Sequence, residues 1–269
     1  MLKWFKKRKP LSVEEIHHIR ELGKLVGQTL EYIKEFVIPG VTTNEINKLV
    51  HDFTLKYGAS PAPLNYKGFP KSVCTSVNDV LCHGLPDDTP LEEGDIINID
   101  VTSKKWGLYA DASHTYSVGE ISEEDKELLR VAQSARDKGI EAVRHRGKTG
   151  DIGNAIESYV KSQSHFICES IGGHGIGRNF HEDPFIPSWG SKGKGDRLYE
   201  NTCITVEPIV NKSPADLISH NIEGSSVKYY SNQDRSFSAQ FEHTILITKE
   251  GYEVLTAHQL DHQGSCKNA

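Results

Sequence analysis

Between residues 12 and 36 apolar side chains recur at helical spacing: Val13, Ile16, Ile19, Leu22, Val26, Leu30 and Ile33. Ser12 precedes this run and Glu15 follows three residues later, the pairing of a capping box, and Pro39-Gly40 ends the helix. Thr43 is the expected cap of a second helix, whose buried stripe is Ile46, Leu49, Val50 and Phe53. Past Gly58 the pattern breaks into Pro, Gly and Asn. From Gly94 the period falls to two: Ile97 and Ile99 point one way, Asn98, Asp100 and Thr102 the other.

The second half repeats this order. Ser122 and Asp125 open a helix through Leu128, Leu129, Ala132, Ala135 and Ile140, and Gly147 ends it. Asp151 begins another, with Ile152, Ala155, Ile156 and Tyr159 on one face, and a glycine-rich loop leads to an alternating strand over residues 202–207. Residues 91–100 align with residues 198–207 without a gap, and both segments end in an acid on the polar face, Asp100 and Glu207. A duplicated helix–helix–hairpin unit explains the order economically. The expected fold class is α/β (α+β), two pseudo-symmetric halves in one sheet with no linker between them.

Composition narrows the function. With 36% apolar and 25% charged residues the chain is neither disordered nor a disulfide scaffold. Its formal net charge is −6 although Lys3, Lys6, Lys7, Arg8 and Lys9 all fall in the first ten residues. The body is therefore acidic, which disfavours non-specific nucleic-acid binding. No apolar run approaches the roughly 18 residues of a membrane span, and the basic start lacks the apolar stretch of a secretory signal. Five cysteines (Cys74, Cys82, Cys168, Cys203 and Cys266), with no CxxC, fit a reduced cytoplasmic protein.

The chemistry lies in the acids. A turn centred between Lys105 and Trp106 would set Asp100 directly opposite Asp111, with Cβ atoms roughly 5 Å apart. Like charges so placed destabilise a sheet unless a cation separates them, and a divalent metal suits hard oxygen ligands. Glu207 ends its strand as Asp100 does, and alternation puts Gln240, Glu242 and Thr244 on one face. Four carboxylates from two related hairpins would suit two divalent ions better than one. The loop from Ile171 to His181 adds His174 and His181 among four glycines, in neither a zinc-finger nor an HExxH arrangement, and no GK[ST] follows it. His83, after Cys82, is a weak candidate on local pattern alone. The remaining histidines read as structural, His114 and His243 included, although those two are harder to place. No GxSxG elbow supports a serine hydrolase.

Seven segments in order make a resemblance specific. Cys82-His83-Gly84-Leu85-Pro86, Asn98-Ile99-Asp100-Val101-Thr102, Asp111-Ala112-Ser113, Gly173-His174-Gly175-Ile176-Gly177, Phe180-His181-Glu182-Asp183-Pro184, Thr205-Val206-Glu207-Pro208 and Gln240-Phe241-Glu242-His243 together resemble the bacterial type I methionine aminopeptidases. The likeness runs from about residue 12 to 255. It implies the pita-bread fold and a centre of two divalent ions (Co, Mn, Fe or Zn) held by Asp100, Asp111, His174, Glu207 and Glu242. Catalysis would then fall to Glu207, His181 and His83, the two histidines also touching substrate. Tyr66, Phe69, Cys74 and Phe180 would line the methionine pocket. Two departures stand out: residues 224–230 lack the rim tryptophan common in the family, and Pro63 stands where a cysteine is usual.

The implied partner is the N-terminal peptide of a nascent protein, cleaved when its second residue is small. The expected organisation is a basic tail at 1–11, a catalytic domain at 12–257 and a C-terminal tail at 258–269. A monomer without membrane or specific nucleic-acid partners is expected, the basic tail being solvated or in transient contact with the ribosome. A non-catalytic pita-bread binding protein and an Xaa-Pro dipeptidase of the same fold remain the alternatives.

Overall fold

A computed structural model describes residues 9–262. Lys3, Lys6, Lys7 and Arg8 of the basic segment, and Cys266, lie outside the described residues. Helix α1 (Val13–Lys34) begins at Ser12, whose hydroxyl accepts from Glu15 N–H while the Glu15 carboxylate accepts from Ser12 N–H, the expected capping box. Helix α2 (Thr43–Lys56) is capped one residue earlier than predicted: Thr42 and Glu45 form the box. Thr43 instead exchanges hydrogen bonds through its hydroxyl with the backbone of Asp87.

Short strands β1 (Ser60–Pro61), β2 (Cys74–Val77) and β3 (Val80–Cys82) lead to the long hairpin β4 (Ile96–Lys105) and β5 (Leu108–Ser117). Its turn is Trp106-Gly107, with φ of 53° and 73°, the left-handed pair that a two-residue hairpin requires. The ladder therefore pairs Asp100 with Ser113 and Thr102 with Asp111, two residues off the predicted register. Because side chains alternate with period two, an even shift leaves both acids on the same face. Asp100 and Asp111 are thus diagonal neighbours rather than direct partners.

The second helix pair is α3 (Glu123–Glu141) and α4 (Thr149–Ser162), with Ser122 capping α3 and α4 starting two residues before Asp151. The strands that follow are β6 (Phe166–Ile167), β7 (Gly173–Ile176), β8 (Glu182–Ile186), β9 (Thr202–Val206) and β10 (Ile209–Asn211). After these come β11 (Leu217–Asn221), β12 (Lys228–Asn232), β13 (Ser238–Gln240), β14 (His243–Ile247) and β15 (Tyr252–Val254). Every strand pairing is antiparallel. Each helix pair covers its own core: Ile19, Leu22, Val26 and Leu30 pack on Ile97 and Ile99, while Leu128, Val131 and Ile152 pack on Ile204 and Ile245.

Side chains stitch the two halves where the ladders stop. Thr244 Oγ1 accepts from Asp111 N–H and donates to Asp111 O, and Asn98 Nδ2 and Thr115 Oγ1 both donate to Gln240 O. Among the described residues no helix is long and apolar enough to cross a membrane.

The body runs past both predicted ends. Leu11 is buried and its N–H donates to Asn201 O, while His258 and Leu260 are buried and Asp261 pairs with the enclosed Arg136. Segments 9–11 and 258–261 belong to the packed domain, because each adds an apolar residue the core can cover.

Candidate metal centre and substrate pocket

A cavity of about 280 Å³ opens where the halves meet. Asp100 and Asp111 reach it from β4 and β5, and His174 from β7. Glu207 and Glu242 stand just beyond β9 and before β14. The ladder pairs Val206 with His243 on one side and Ile209 with Gln240 on the other, so Glu207 faces Glu242 across the gap. The five side chains that sequence brought forward as ligands therefore line one cavity. Among the described residues no lysine or arginine lines it.

Their charges are under strain. Burial, then the neighbouring Asp111, pushes Asp100 well above the ordinary carboxylate range, and Glu242 is raised in the same way by burial and by Asp111 and Glu207. Burial also raises Asp111 and Glu207, against the pull of His174 on both. Asp100 Oδ1 and Glu242 Oε1 are buried without a hydrogen-bond partner. Ligand atoms of Asp111, His174 and Glu242 lie within 4.8 Å of one another. Hard oxygens with unmet valence, one imidazole and no internal counter-cation form the donor set of a divalent cation.

Neighbours orient these groups. Thr102 Oγ1 donates to Asp111 Oδ1 at 2.8 Å, Thr205 Oγ1 to Glu207 Oε1 at 2.6 Å and Gln240 Nε2 to Glu207 Oε2 at 3.1 Å. Sequence reading gave Thr102, Thr205 and Gln240 no role. Their signal was a position two residues from an acid, on the same strand face. His174 Nδ1 lies 2.9 Å from Gly175 O and donates to it, which leaves Nε2 as the ring nitrogen toward the acids, 3.7 Å from Glu207 Oε1. Gly173 permits this approach, since a Cβ there would stand 2.4 Å from Thr205 O.

His83 and His181 complete the wall. His83 adopts a left-handed φ of 56°, and its Nδ1 is 3.0 Å from Lys228 O. Burial lowers the His83 pKa, and burial with the nearby His174 and His83 brings His181 down to about 3, so both rings are neutral near pH 7. Phe69, Cys74 and Phe180 line the cavity as expected, and burial raises the Cys74 thiol so that it stays protonated. Tyr66 does not line it. It stands behind His181, with its hydroxyl 3.1 Å from Nδ1. Val227 and Tyr230 form wall where the rim tryptophan is missing, Pro63 lines the cavity where the family usually has a cysteine, and Ile171 and Phe185, given no pocket role from sequence, also contribute.

The family model of metallopeptidase family M24 matches residues 17–249. The chain belongs to this family. Within it, the chain is 48% identical over 238 residues to the methionine aminopeptidase of Rickettsia prowazekii, covering 88% of this chain and 91% of that one. It is 41% identical over 247 residues to methionine aminopeptidase A of Synechocystis, covering 91% and 96%. The crystal structure of the Rickettsia prowazekii methionine aminopeptidase superposes with a TM-score of 0.89 at 46% identity, over 93% of this chain and 99% of that one. The M24 pita-bread fold accounts for the paired halves, and a metallopeptidase of this family works with divalent metal ions, which the buried acids here fit.

Proposed function

We propose that this chain is a cytoplasmic methionine aminopeptidase, removing the N-terminal methionine of nascent proteins and peptides when the second residue is small. One observation carries this reading: an M24 metallopeptidase encloses four carboxylates, two with unmet oxygens, beside an apolar pocket. Asp100, Asp111, His174, Glu207 and Glu242 would hold two divalent ions, of Co, Mn, Fe or Zn, since four carboxylates oppose the charge of two dications. Bound there, such ions supply Lewis acidity that lowers the pKa of water and polarises a carbonyl.

The chain's own residues do the rest. Glu207, steered by Thr205 and Gln240, takes a proton from the attacking water and returns it to the leaving amine. His181 donates to the developing oxyanion, and His83 holds the peptide in line. Phe69, Cys74 and Phe180, with Val227 and Tyr230, surround the first side chain with surfaces suited to a flexible thioether. A bulky second side chain would have to sit against the wall of the acid cluster. The protein acts as a monomer, and any ribosome contact through the basic residues 3–9 would be a transient, salt-sensitive one.

The test is a panel of Met-Xaa, Xaa-Gly and Xaa-Pro peptides compared by kcat/KM. Met-Gly, Met-Ala and Met-Ser should be cleaved well and Met-Trp poorly. Norleucine peptides should be cleaved at a useful rate, because an apolar pocket rejects a near-isostere by only about 1–3 kcal/mol. Preference for Xaa-Pro would favour a dipeptidase. Binding without turnover under any of the four metals would favour a non-catalytic pita-bread protein.

A further inference from the structure

Besides His174, two imidazoles line the cavity, and each has its Nδ1 engaged by a different kind of partner. A carbonyl oxygen only accepts, so His83 Nδ1–H donates to Lys228 O at 3.0 Å, and the neutral ring presents a bare Nε2. His181 Nδ1 meets the Tyr66 hydroxyl at 3.1 Å, with the rings stacked at 28° and centroids 5.4 Å apart. A phenol can donate or accept, so its surroundings decide. Lys67 Nζ lies over the Tyr66 ring, 5.2 Å from its centroid, and a cation there draws density from the phenol and strengthens it as a donor. Among the described residues no other hydrogen bond engages the Tyr66 hydroxyl, so within the protein His181 Nδ1 is the acceptor its proton meets.

The loop that presents Tyr66 is built to keep it there. Asn65 and Lys67 on either side adopt left-handed φ of 65° and 50°, which non-glycine residues hold only when their surroundings insist. Phe69 O accepts from Asn65 N–H, and Lys67 O accepts from Ser226 N–H at 3.0 Å and Ser225 Oγ at 3.1 Å. Gly68 packs so closely on the same rim that a Cβ would stand 2.3 Å from Gly224 O. Phe180 closes the other side, tilted against Tyr66 at 4.8 Å and stacked on His181 at 4.3 Å.

From this geometry we infer that Tyr66 is a positioning residue, whose hydroxyl donates to His181 Nδ1 and so fixes the His181 tautomer with its proton on Nε2. The two histidines then carry opposite tautomers: His181 offers Nε2–H to a substrate oxygen, and His83 offers the Nε2 lone pair to a substrate N–H. The inference rests on the aminopeptidase reading for which substrate atoms these are, but not for the tautomers themselves. It moves Tyr66 from the pocket wall to the support of a proton donor.

The test compares the zinc-loaded protein with its Tyr66→Phe variant, using long-range ¹⁵N–¹H NMR of the histidine rings and steady-state kinetics on Met-Gly peptides. The native protein should show His181 protonated at Nε2 and His83 at Nδ1. In Tyr66→Phe, His181 should become a tautomer mixture while His83 keeps its pattern. kcat should fall about tenfold, the net worth of one neutral hydrogen bond, with KM little changed. A native His181 protonated at Nδ1 would overturn the inference. So would a Tyr66→Phe variant with unaltered ring signals and a raised KM, the behaviour of a pocket wall. If neither protein cleaved any methionyl peptide, the aminopeptidase reading would fail alone, and the ring signals would still decide the role of Tyr66.

Discussion

Glu242 and His243 are adjacent in sequence, yet they enter two clusters of opposite character on the two sides of the chain where it enters β14. On one side, ligand atoms of Asp111, His174 and Glu242 lie within 4.8 Å of one another; on the other, those of His243, His258 and Asp261 do the same. By distance alone both could hold a metal ion. Charge separates them. Arg136, 1% exposed, donates to Asp261 Oδ1 at 2.9 Å, so the second cluster contains its own cation. Thr256 Oγ1 accepts from Thr244 N–H and so turns its proton to His243 Nδ1, while His243 Nε2–H donates to Asp261. Burial brings His243 down to about 4; against the same burial, His243 and Arg136 hold Asp261 far below the carboxylate range. The first cluster has four raised acids, unmet oxygens and, among the described residues, no lysine or arginine. Proximity of ligand atoms does not make a metal site; a charge left unanswered does.

Stripping the metals should break the comparison most sharply. Dialysis against a chelator should abolish activity and lower Tm, and Co or Mn should restore both; an enzyme fully active without metal would remove the role given to the acids. Glu207→Gln should lose more than about 100-fold in kcat with its fold retained by circular dichroism. On the opposite side, Arg136→Ala strands Asp261 as a buried, less compensated charge and should cost about 3–5 kcal/mol in denaturant unfolding. Metal stoichiometry in the folded fraction should stay unchanged, whereas loss of metal would show that the two clusters are coupled.

Thr102→Val deprives Asp111 Oδ1 of a donor and should weaken metal affinity about tenfold by competition titration, with Tm of the loaded protein little altered.

The smallest effect is in the pH dependence of Tm, and its sign differs between the two sides. His243 has a depressed pKa, so its contribution is complete above its unfolded value near 6.5 and is lost as pH falls through about 4. The acids of the metal-free centre have raised pKa values, so their contribution is present at low pH and lost as pH rises above the ordinary carboxylate range. The metal-free protein should therefore lose stability toward neutral pH relative to the loaded one, and the two Tm curves should converge on acidification. Parallel curves would contradict the raised acids.

Much of this was legible in the chain. The helix pairs, the strand faces and the repeated acid at the strand ends followed from periodicity, because burying one stripe or face is a local demand on sequence. Asp100 and Asp111 were placed on one face despite the two-residue error in register, since period two forgives an even slip. The error came from the turn: Trp106 in a left-handed conformation is unusual, so the sequence centred the turn one residue early. The ends were misjudged for a related reason. One leucine at each end, Leu11 and Leu260, is a weak local signal, and only docking shows that each completes a core.

Sequence by itself determined which side chains could meet: alternation fixes faces, glycines fix where backbones touch, and the motif order fixes the family. Tertiary structure decided what those side chains are. It set His243 beside Arg136 and Asp261 but Glu242 beside three other acids, it gave His83 a carbonyl and His181 a phenol, and it drew Tyr66 out of the pocket. Protonation, tautomer and net charge depend on groups more than a hundred residues away in the chain, Tyr66 on His181 and Arg136 on Asp261 among them. Electrostatics acts through space and periodicity along the chain, so only the folded protein assigns the chemistry.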